Sequence, residues 1–364
     1  MKRKEFIKAC ALFGLANPLL LTLCKEENIK PSFKGKVIII GAGAGGLSAG
    51  YLLSKSGIEY EIFEASSNYG GRMKINKTFA DFTIPLGAEW IETNENIFKN
   101  TIGDSSININ TIKDGEDYKF INYSWLEFFQ DHIIPSISDK IKYNKVVKSI
   151  NYNEKNIITS TETENTTSDK VIVSVPLKII KDKDITFNPE LPLSKIKSIN
   201  RLEIWDGYKV FIEFSNKFYD DEFIFNITPK TDGEKIYYDA TYGQNTSKNI
   251  LGLFVVGKPV NNYIFLSENE QINKILSELD NIYDNQASNN YKKHIIQNWR
   301  NEKYIKSGYI SDFSDWKDVK ELGKTVNNKI YFSGGAYTDG EDWVSIHTAI
   351  ESAKNKVNEI MFSN

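Results

Sequence analysis

The stretch from Lys36 to Glu64 constrains this chain more than any other. Val37-Ile38-Ile39-Ile40 is an unbroken apolar run, the pattern of a strand covered on both faces. It leads directly into Gly41-Ala42-Gly43-Ala44-Gly45-Gly46, and a helical stretch follows from Leu47 to Ser56, stopped by Gly57. Residues 59–63 alternate as a second strand, which Glu64 closes. Strand, G-x-G-x-x-G, helix, strand and acid, in that order, make a dinucleotide-binding βαβ unit. Gly41 permits the tight turn, Gly43 lets a pyrophosphate approach bare backbone, and Gly46 allows the helix to pack closely on the strand. The backbone around Ala44 and Gly45 opens the helix, where free N–H groups favour an anion. Glu64 accepts hydrogen bonds from an adenosine ribose. The motif predicts a parallel, doubly covered sheet in an α/β fold. It does not separate a nicotinamide from a flavin dinucleotide.

Composition removes several classes. With 2 Cys and 3 His in 364 residues, zinc fingers, iron–sulfur clusters and a disulfide framework are excluded, and no metal site is expected. A net charge of −3 gives no broad basic surface for nucleic acid. The length suits two domains. Both cysteines, Cys10 and Cys24, fall in the first 24 residues. There a basic head is followed by an apolar run, broken only at Asn17-Pro18, and by a polar exit, the layout of an export signal. Arg3-Lys4 resembles a twin-arginine motif, and Leu21-Thr22-Leu23-Cys24 resembles a lipoprotein box. The expectation is export to a bacterial envelope, periplasmic or lipid-anchored at Cys24. The mature domain then carries no thiol.

Beyond Glu64 come Ala65 and, after a short polar stretch, Gly70-Gly71-Arg72, which sets flexible backbone and a guanidinium near a second anionic group. Gly87-Ala88-Glu89-Trp90 follows. From these segments onward the chain resembles the flavin-containing amine oxidase family, which includes monoamine and polyamine oxidases. Val147 lies in a segment similar to the family's adenine-contacting strand. Residues 169–177 resemble its crossover to the substrate domain. Trp299–Tyr304 with Gly308-Tyr309 resembles its flavin-lining segment. Residues 329–335, with Ile346–Ala349 and Ser352-Ala353, resemble the strand and helix that close the FAD site.

The resemblance runs from about Lys36 to the C-terminus. It implies a Rossmann-like FAD-binding domain (33–100, 140–180 and 320–364) interleaved with a substrate-binding domain (101–139 and 181–319). That second domain is expected on a mixed β-sheet with a reduced helical lid, α/β in class and α+β overall. It implies FAD contacts from Gly41, Gly43, Ala44, Gly45, Gly46, Glu64, Ala65, Gly70, Gly71, Arg72, Gly87, Ala88, Glu89, Trp90, Val147, Trp299, Gly334, Gly335 and Thr348. Gly308 stands where some members carry a cysteine bonded to the flavin, so the FAD is expected to be non-covalent. Three positions depart from the family pattern: Gly335 replaces an acid that grips the ribityl chain, Pro85 replaces an Asp, and Thr348 replaces a glycine.

Lys209 sits among apolar residues in the strand-like run 207–214. Read alone, it is either a solvent-face lysine or a buried one with a partner or a task. The resemblance gives it the place of the family's lysine near the reactive flavin nitrogen. Tyr309 and Trp343 are expected as aromatic walls that orient an amine, and His347 as structural. The implied reaction takes a small or peptide-borne amine to an imine, with molecular oxygen as acceptor and hydrogen peroxide as product. A dihydropyridine oxidation like that of renalase, a carbon–carbon desaturation, or a non-catalytic exported binding protein are the alternatives.

Other elements are read locally. Residues 147–175 form a meander, and strand-like runs recur at 222–227, 235–241 and 250–257. Ser267 and Glu270 frame a capping box before a helix with Ile272, Ile275, Leu276 and Leu279 on one face. A last helix carries Ala349, Ile350, Ala353, Val357, Ile360 and Met361 on one stripe. The short segment between Ile91 and Val147 holds one expected helix pair, around 125–129 and 133–141. It predicts an open active site able to admit a bulky amine.

Overall fold

The computed structural model of the chain describes residues 31–220, 222–223 and 232–363. The export leader, with Arg3, Lys4, Cys10 and Cys24, and the end of the 222–227 run lie outside the described residues.

The apolar run forms strand β1 (Lys36–Ile40), followed by helix α1 (Ala44–Lys55) and strand β2 (Glu59–Phe63). β1 lies at the centre of a five-stranded parallel sheet. Its neighbours are β2, then Ile141–Lys142, on one side, and Lys170–Val173, then Ile330–Phe332, on the other. Val37 and Ile39 point into one core with Leu47, Leu53, Ile350, Ala353 and Val357. Ile38 and Ile40 point into another with Ile150, Val171, Leu177 and Phe332. Each fully buried isoleucine contributes about 1.5–3 kcal/mol, so the run has no face left for water. The last helix, α2 (Ile346–Met361), packs beside α1 through the expected stripe.

The substrate portion is built on β3 (Gly207–Phe214), β4 (Gly233–Asp239), β5 (Asn249–Gly257) and β6 (Tyr291–Asn298), with Glu222–Phe223 at one edge. All its described pairings are antiparallel. Mixed pairing is found instead in a neighbouring four-stranded sheet, where Thr186–Asn188 runs parallel to Ser149–Asn151 and the meander strands run antiparallel. Tyr208, Val210, Ile212 and Phe214 face the helix Glu268–Asp280, which begins with the expected capping box and buries Ile272, Ile275, Leu276 and Leu279. The opposite face of β3, through Phe211, meets Phe79, Phe82, Ile84 and Leu86. This second face is the one turned toward the nucleotide-binding part.

The segment between Ile91 and Val147 differs from its expected placement. Residues 101–139 are read from sequence as part of the substrate portion. Yet Phe120, Trp125, Phe128, Phe129, Ile133 and Ile137 share the core that holds Val37 and Ile39. Their apolar spacing needs an apolar surface, and the α1 side of the parallel sheet supplies it. The helix Trp125–His132 forms, but Pro135 has no N–H with which to extend it, and two 3-10 turns, Ile134–Ser136 and Ser138–Lys140, take the place of the second helix. A hairpin, Thr111–Asp114 with Asp117–Phe120, pairs with Trp90–Ile91 and reaches the substrate portion.

Candidate functional site

The glycine loop has the sterics its spacing demands. Gly41 has φ +102°, and a Cβ there would fall 2.5 Å from the Ser174 carbonyl oxygen. A Cβ on Gly46 would fall 1.9 Å from the Gly41 carbonyl oxygen, so any side chain would lift α1 off β1. Gly43 is the opposite case: a Cβ there would meet nothing within 4 Å, so its Cα faces open space. The N-terminus of α1 begins at Gly43 with no side-chain cap and no acid in its first turn. Gly70 donates its N–H to the Ala42 carbonyl at 2.8 Å, and Gly71 lies against Gly43, bringing the second glycine pair over the same opening. Glu64 accepts from the Ala42 N–H at 2.7 Å and from Ser66. Its own backbone, between β2 and half-buried Ala65, is bonded to Lys145, which carries the segment of Val147 alongside. An open, uncapped helix start beside a carboxylate fits a pyrophosphate with its ribose.

The loop leads to a small cleft lined by Arg72, Leu177, Tyr309, Gly335 and Val344 among others. Arg72 donates to the Gly308 carbonyl. Burial holds its guanidinium below the ordinary value, opposed by Tyr337 and Tyr309. The Arg72 carbonyl accepts from Ala88 at 2.9 Å, and a Cβ on Gly87 would fall 1.8 Å from that same oxygen. From the other side, Trp299 donates its indole N–H to the Leu86 carbonyl at 3.2 Å. Residues 86–88 are thus clamped between Arg72 and Trp299. A Cβ on Gly308 would sit 3.1 Å from the Gly207 Cα, so the position that holds a flavin-bonded cysteine elsewhere has little room for one here.

One expected wall of the cleft is placed differently. Trp343 does not line the cleft: its indole N–H faces the Ser311 carbonyl at 3.4 Å and its ring packs on the core around Phe332. Val344 lines the cleft from that loop. It does so at φ +75°, a strained conformation for a β-branched residue. A Cβ on Gly335 would lie 3.2 Å from Val344, a tight contact with the loop. Gly334 lies against Gly45 in the loop, and Thr348 donates to the Ser345 carbonyl at 2.8 Å inside the first turn of α2. His347 is buried against Asp342 at 3.1 Å. Tyr309 borders the cleft, its ring 6.1 Å from that of Trp205.

Lys209 is not a solvent-face lysine. It is 2% exposed and points from the second face of β3. Its ammonium donates to Glu89 Oε2 at 2.7 Å and to the Pro85 carbonyl at 3.4 Å, and lies 4.8 Å from the centre of the Trp90 ring. Tyr238 donates to the same Glu89 oxygen at 2.6 Å. The Lys119 ammonium approaches Glu89 Oε1 at 3.4 Å and donates to the carbonyls of Asp239 and Ala240. Glu89 and Lys119 are each 4% exposed. Burial alone would raise the Glu89 carboxyl, but Lys209 and Lys119 reverse this and hold it below the ordinary carboxylate value. Burial lowers Lys209, with Glu89 opposing. Burial and the Glu89 charge push Tyr238 well up.

Glu89, expected among the cofactor contacts, thus spends its carboxylate on Lys209, Lys119 and Tyr238. Trp90 likewise turns to the substrate sheet, edge-on to Tyr238 and Phe254, with its N–H on Asp114 at 3.0 Å. Sequence reasoning missed Lys119 and Tyr238. Each sits in an alternating strand among aromatic residues, and only the pairing of Lys119 with Trp90 across the small sheet brings it to Glu89. Among the described residues no group of His, Cys, Asp and Glu side chains forms a metal site.

Comparisons with known proteins bear on the family and the fold. A family model described as flavin containing amine oxidoreductase matches residues 127–361, and one described as NAD(P)-binding Rossmann-like domain matches residues 39–100. Lysine-specific histone demethylase 2 of Homo sapiens is 21% identical over 409 residues, which is 81% of this chain and 50% of that protein. Lysine-specific histone demethylase 1B of Mus musculus is 24% identical, over 46% of this chain and 21% of that protein. Polyamine oxidase 1 of Zea mays is 41% identical over 76 residues, 20% of this chain and 15% of that protein. The chain spans half or less of the length of these relatives. Among solved structures, cyclohexylamine oxidase from Brevibacterium oxydans superposes with a TM-score of 0.72 at 14% identity, covering 90% of this chain and 99% of that one. Putrescine oxidase bound to putrescine superposes with a TM-score of 0.71 at 15% identity, covering 90% and 99%. At this identity the superpositions establish the fold.

Proposed function

The chain belongs to the flavin containing amine oxidoreductase family, with FAD as its cofactor, and on that premise we propose that it oxidises an amine with molecular oxygen as acceptor. The substrate C–H bond beside the nitrogen breaks with loss of two electrons, the nitrogen loses a proton, and the imine hydrolyses to an aldehyde and ammonia or a smaller amine. Oxygen takes the two electrons and two protons and leaves as hydrogen peroxide. FAD, when bound, supplies the two-electron redox chemistry.

The protein's own part is to bind, orient and place charge. The glycine loop, the start of α1 and Glu64 hold the nucleotide. Arg72, held against the clamped residues 86–88, lines the cleft proposed to receive the redox end. The Tyr309 face orients a neutral amine. Lys209 sets a buried ammonium on the second face of β3, beside Glu89 and Trp90, and its proposed part is to polarise a water. This buried ammonium, beside Trp90 and Tyr238, is the observation that carries the reading. The alternative of a surface lysine is removed.

The substrate is proposed as a small or peptide-borne amine, and the site as one carried by an exported protein on the strength of residues 1–24. Lys209→Met is expected to keep its yellow FAD while reoxidation of the reduced enzyme by oxygen slows by roughly a hundredfold. Unchanged reoxidation would retire Lys209 from this role. A peroxide-release screen over amines, amino acids, lysyl peptides and reduced nicotinamides tests the substrate class. Release with reduced nicotinamides alone would move the chain to dihydropyridine oxidation, and a colourless protein that cannot be reconstituted would make it a binding protein.

A further inference from the structure

Two buried ammonium groups converge on one carboxylate at the second face of β3. Lys209 meets Glu89 Oε2 at 2.7 Å and Lys119 meets Glu89 Oε1 at 3.4 Å. Tyr238 completes the Oε2 side. The remaining surroundings of Lys209 are the Pro85 carbonyl and the rings of Trp90, Phe211 and Phe254. From β6 the register partner is Gln297, whose amide is turned to Glu302, itself paired with Lys74. Asp114 is held by the Trp90 indole, and the Asp239 carboxylate by Lys217 and Thr241. Glu89 is therefore the one anion in direct contact with Lys209 among the described residues.

The carboxylate cannot follow the lysine freely. Ala88 is bonded to the Arg72 carbonyl, and Leu86 accepts from Trp299, so the backbone leading to Glu89 is fixed to Trp299 and to Arg72, which lines the cleft. The same three clamped residues thus tie the partner of Lys209 to Arg72.

We infer that Glu89 is a positioning residue that keeps Lys209 as an ammonium, with Lys119 as the second cation that keeps Glu89 ionised. Resting on the role proposed above for Lys209, this makes the lysine a fixed charge that polarises water and not a base that exchanges a proton. An ammonium in a desolvated site favours charge that develops on oxygen as it is reduced. Without the carboxylate, burial and the facing Lys119 both disfavour the charged form of Lys209.

The test uses the full-length holoenzyme and Glu89→Gln, Lys119→Met and Lys209→Met variants, with two readouts. The first is the pH dependence of flavin reoxidation after anaerobic reduction. Wild type is expected to be flat through the neutral range, and Glu89→Gln to lose rate as pH rises, its midpoint at least about one unit lower. Lys119→Met moves the midpoint up. The second readout is Tm against pH. In Glu89→Gln the unfolded chain holds a proton on Lys209 that the folded chain releases, so Tm rises with pH more steeply than in wild type. The additional substitution Lys209→Met removes that extra slope. Wild-type profiles for Glu89→Gln in both readouts would overturn the inference. Wild-type reoxidation in Lys209→Met would instead overturn the role of Lys209, while the Tm slope still reports whether Glu89 holds its charge. If Glu89→Gln alone does not fold, the Glu89→Gln/Lys119→Met pair removes the repulsion, and the same steeper Tm slope is expected of it.

Discussion

Lys195 shows what a single buried ammonium does to this protein. It is 1% exposed and donates to the carbonyls of Glu321 and Leu322 at 2.6 and 2.7 Å, where the helix Trp316–Gly323 ends. Its nitrogen lies 4.3 Å from the centre of the Phe332 ring. Burial pushes it down to about 7, with Glu321 opposing. The unfolded chain keeps that proton until about pH 10.4, so between the two values the unfolded state binds more protons and stability rises with pH. Below about 7 both states are protonated and the slope vanishes. Lys195→Met is expected to flatten the rise in Tm between pH 7 and 9.5, and equal slopes in both proteins would refute the assignment. At this scale sequence was a partial guide. An apolar strand marks Lys209 as odd, but Lys195 sits on an amphipathic helix where nothing nearby distinguishes it. Its partners lie more than a hundred residues away.

Elements were more legible, because their causes are local. β3 spans the expected 207–214, and the capping box of Ser267 and Glu270 starts its helix where read. The run read at 235–241 forms as Gly233–Asp239, a small shift at ends where pairing with β5 decides how far the strand extends. The sharpest local cause is the fingerprint itself. Gly46→Ala places a methyl group 1.9 Å from the Gly41 carbonyl oxygen, so α1 must move off β1. The expected result is a loss of about 1–3 kcal/mol in stability together with weakened FAD retention. Thermal unfolding and quenching of flavin fluorescence read the two effects, and full retention of FAD in the variant would show that this helix start does not hold the pyrophosphate. The second helix expected near 133–141 failed because the apolar period persisted through Pro135, where the backbone had lost the donor needed to continue.

On the scale of the whole molecule, the hairpin of residues 111–120 is the instructive piece. It joins a segment whose core residues belong with α1 to a lysine that reaches the substrate sheet, so the two portions meet at Glu89. The shortened stretch between Ile91 and Val147 puts its helix Trp125–His132 on the nucleotide-binding core. The leader belongs to this scale as well. If residues 1–24 direct export, protein recovered from the cell envelope shows by intact mass the loss of the leader, with a lipid on Cys24 if the lipoprotein reading holds. Full-length chain confined to the cytoplasm would end that proposal. The sequence by itself determined the βαβ unit, the FAD-binding family and most elements, because glycine sterics and apolar periodicity act over a few residues. Only the tertiary structure decided that Glu89 serves the lysine, that Lys119 and Tyr238 join it, that Val344 and not Trp343 borders the cleft, and that residues 101–139 pack with α1. Those outcomes depend on which buried polar groups satisfy one another across long sequence separations, and a desolvated charge accepts whichever partner the packing brings within reach.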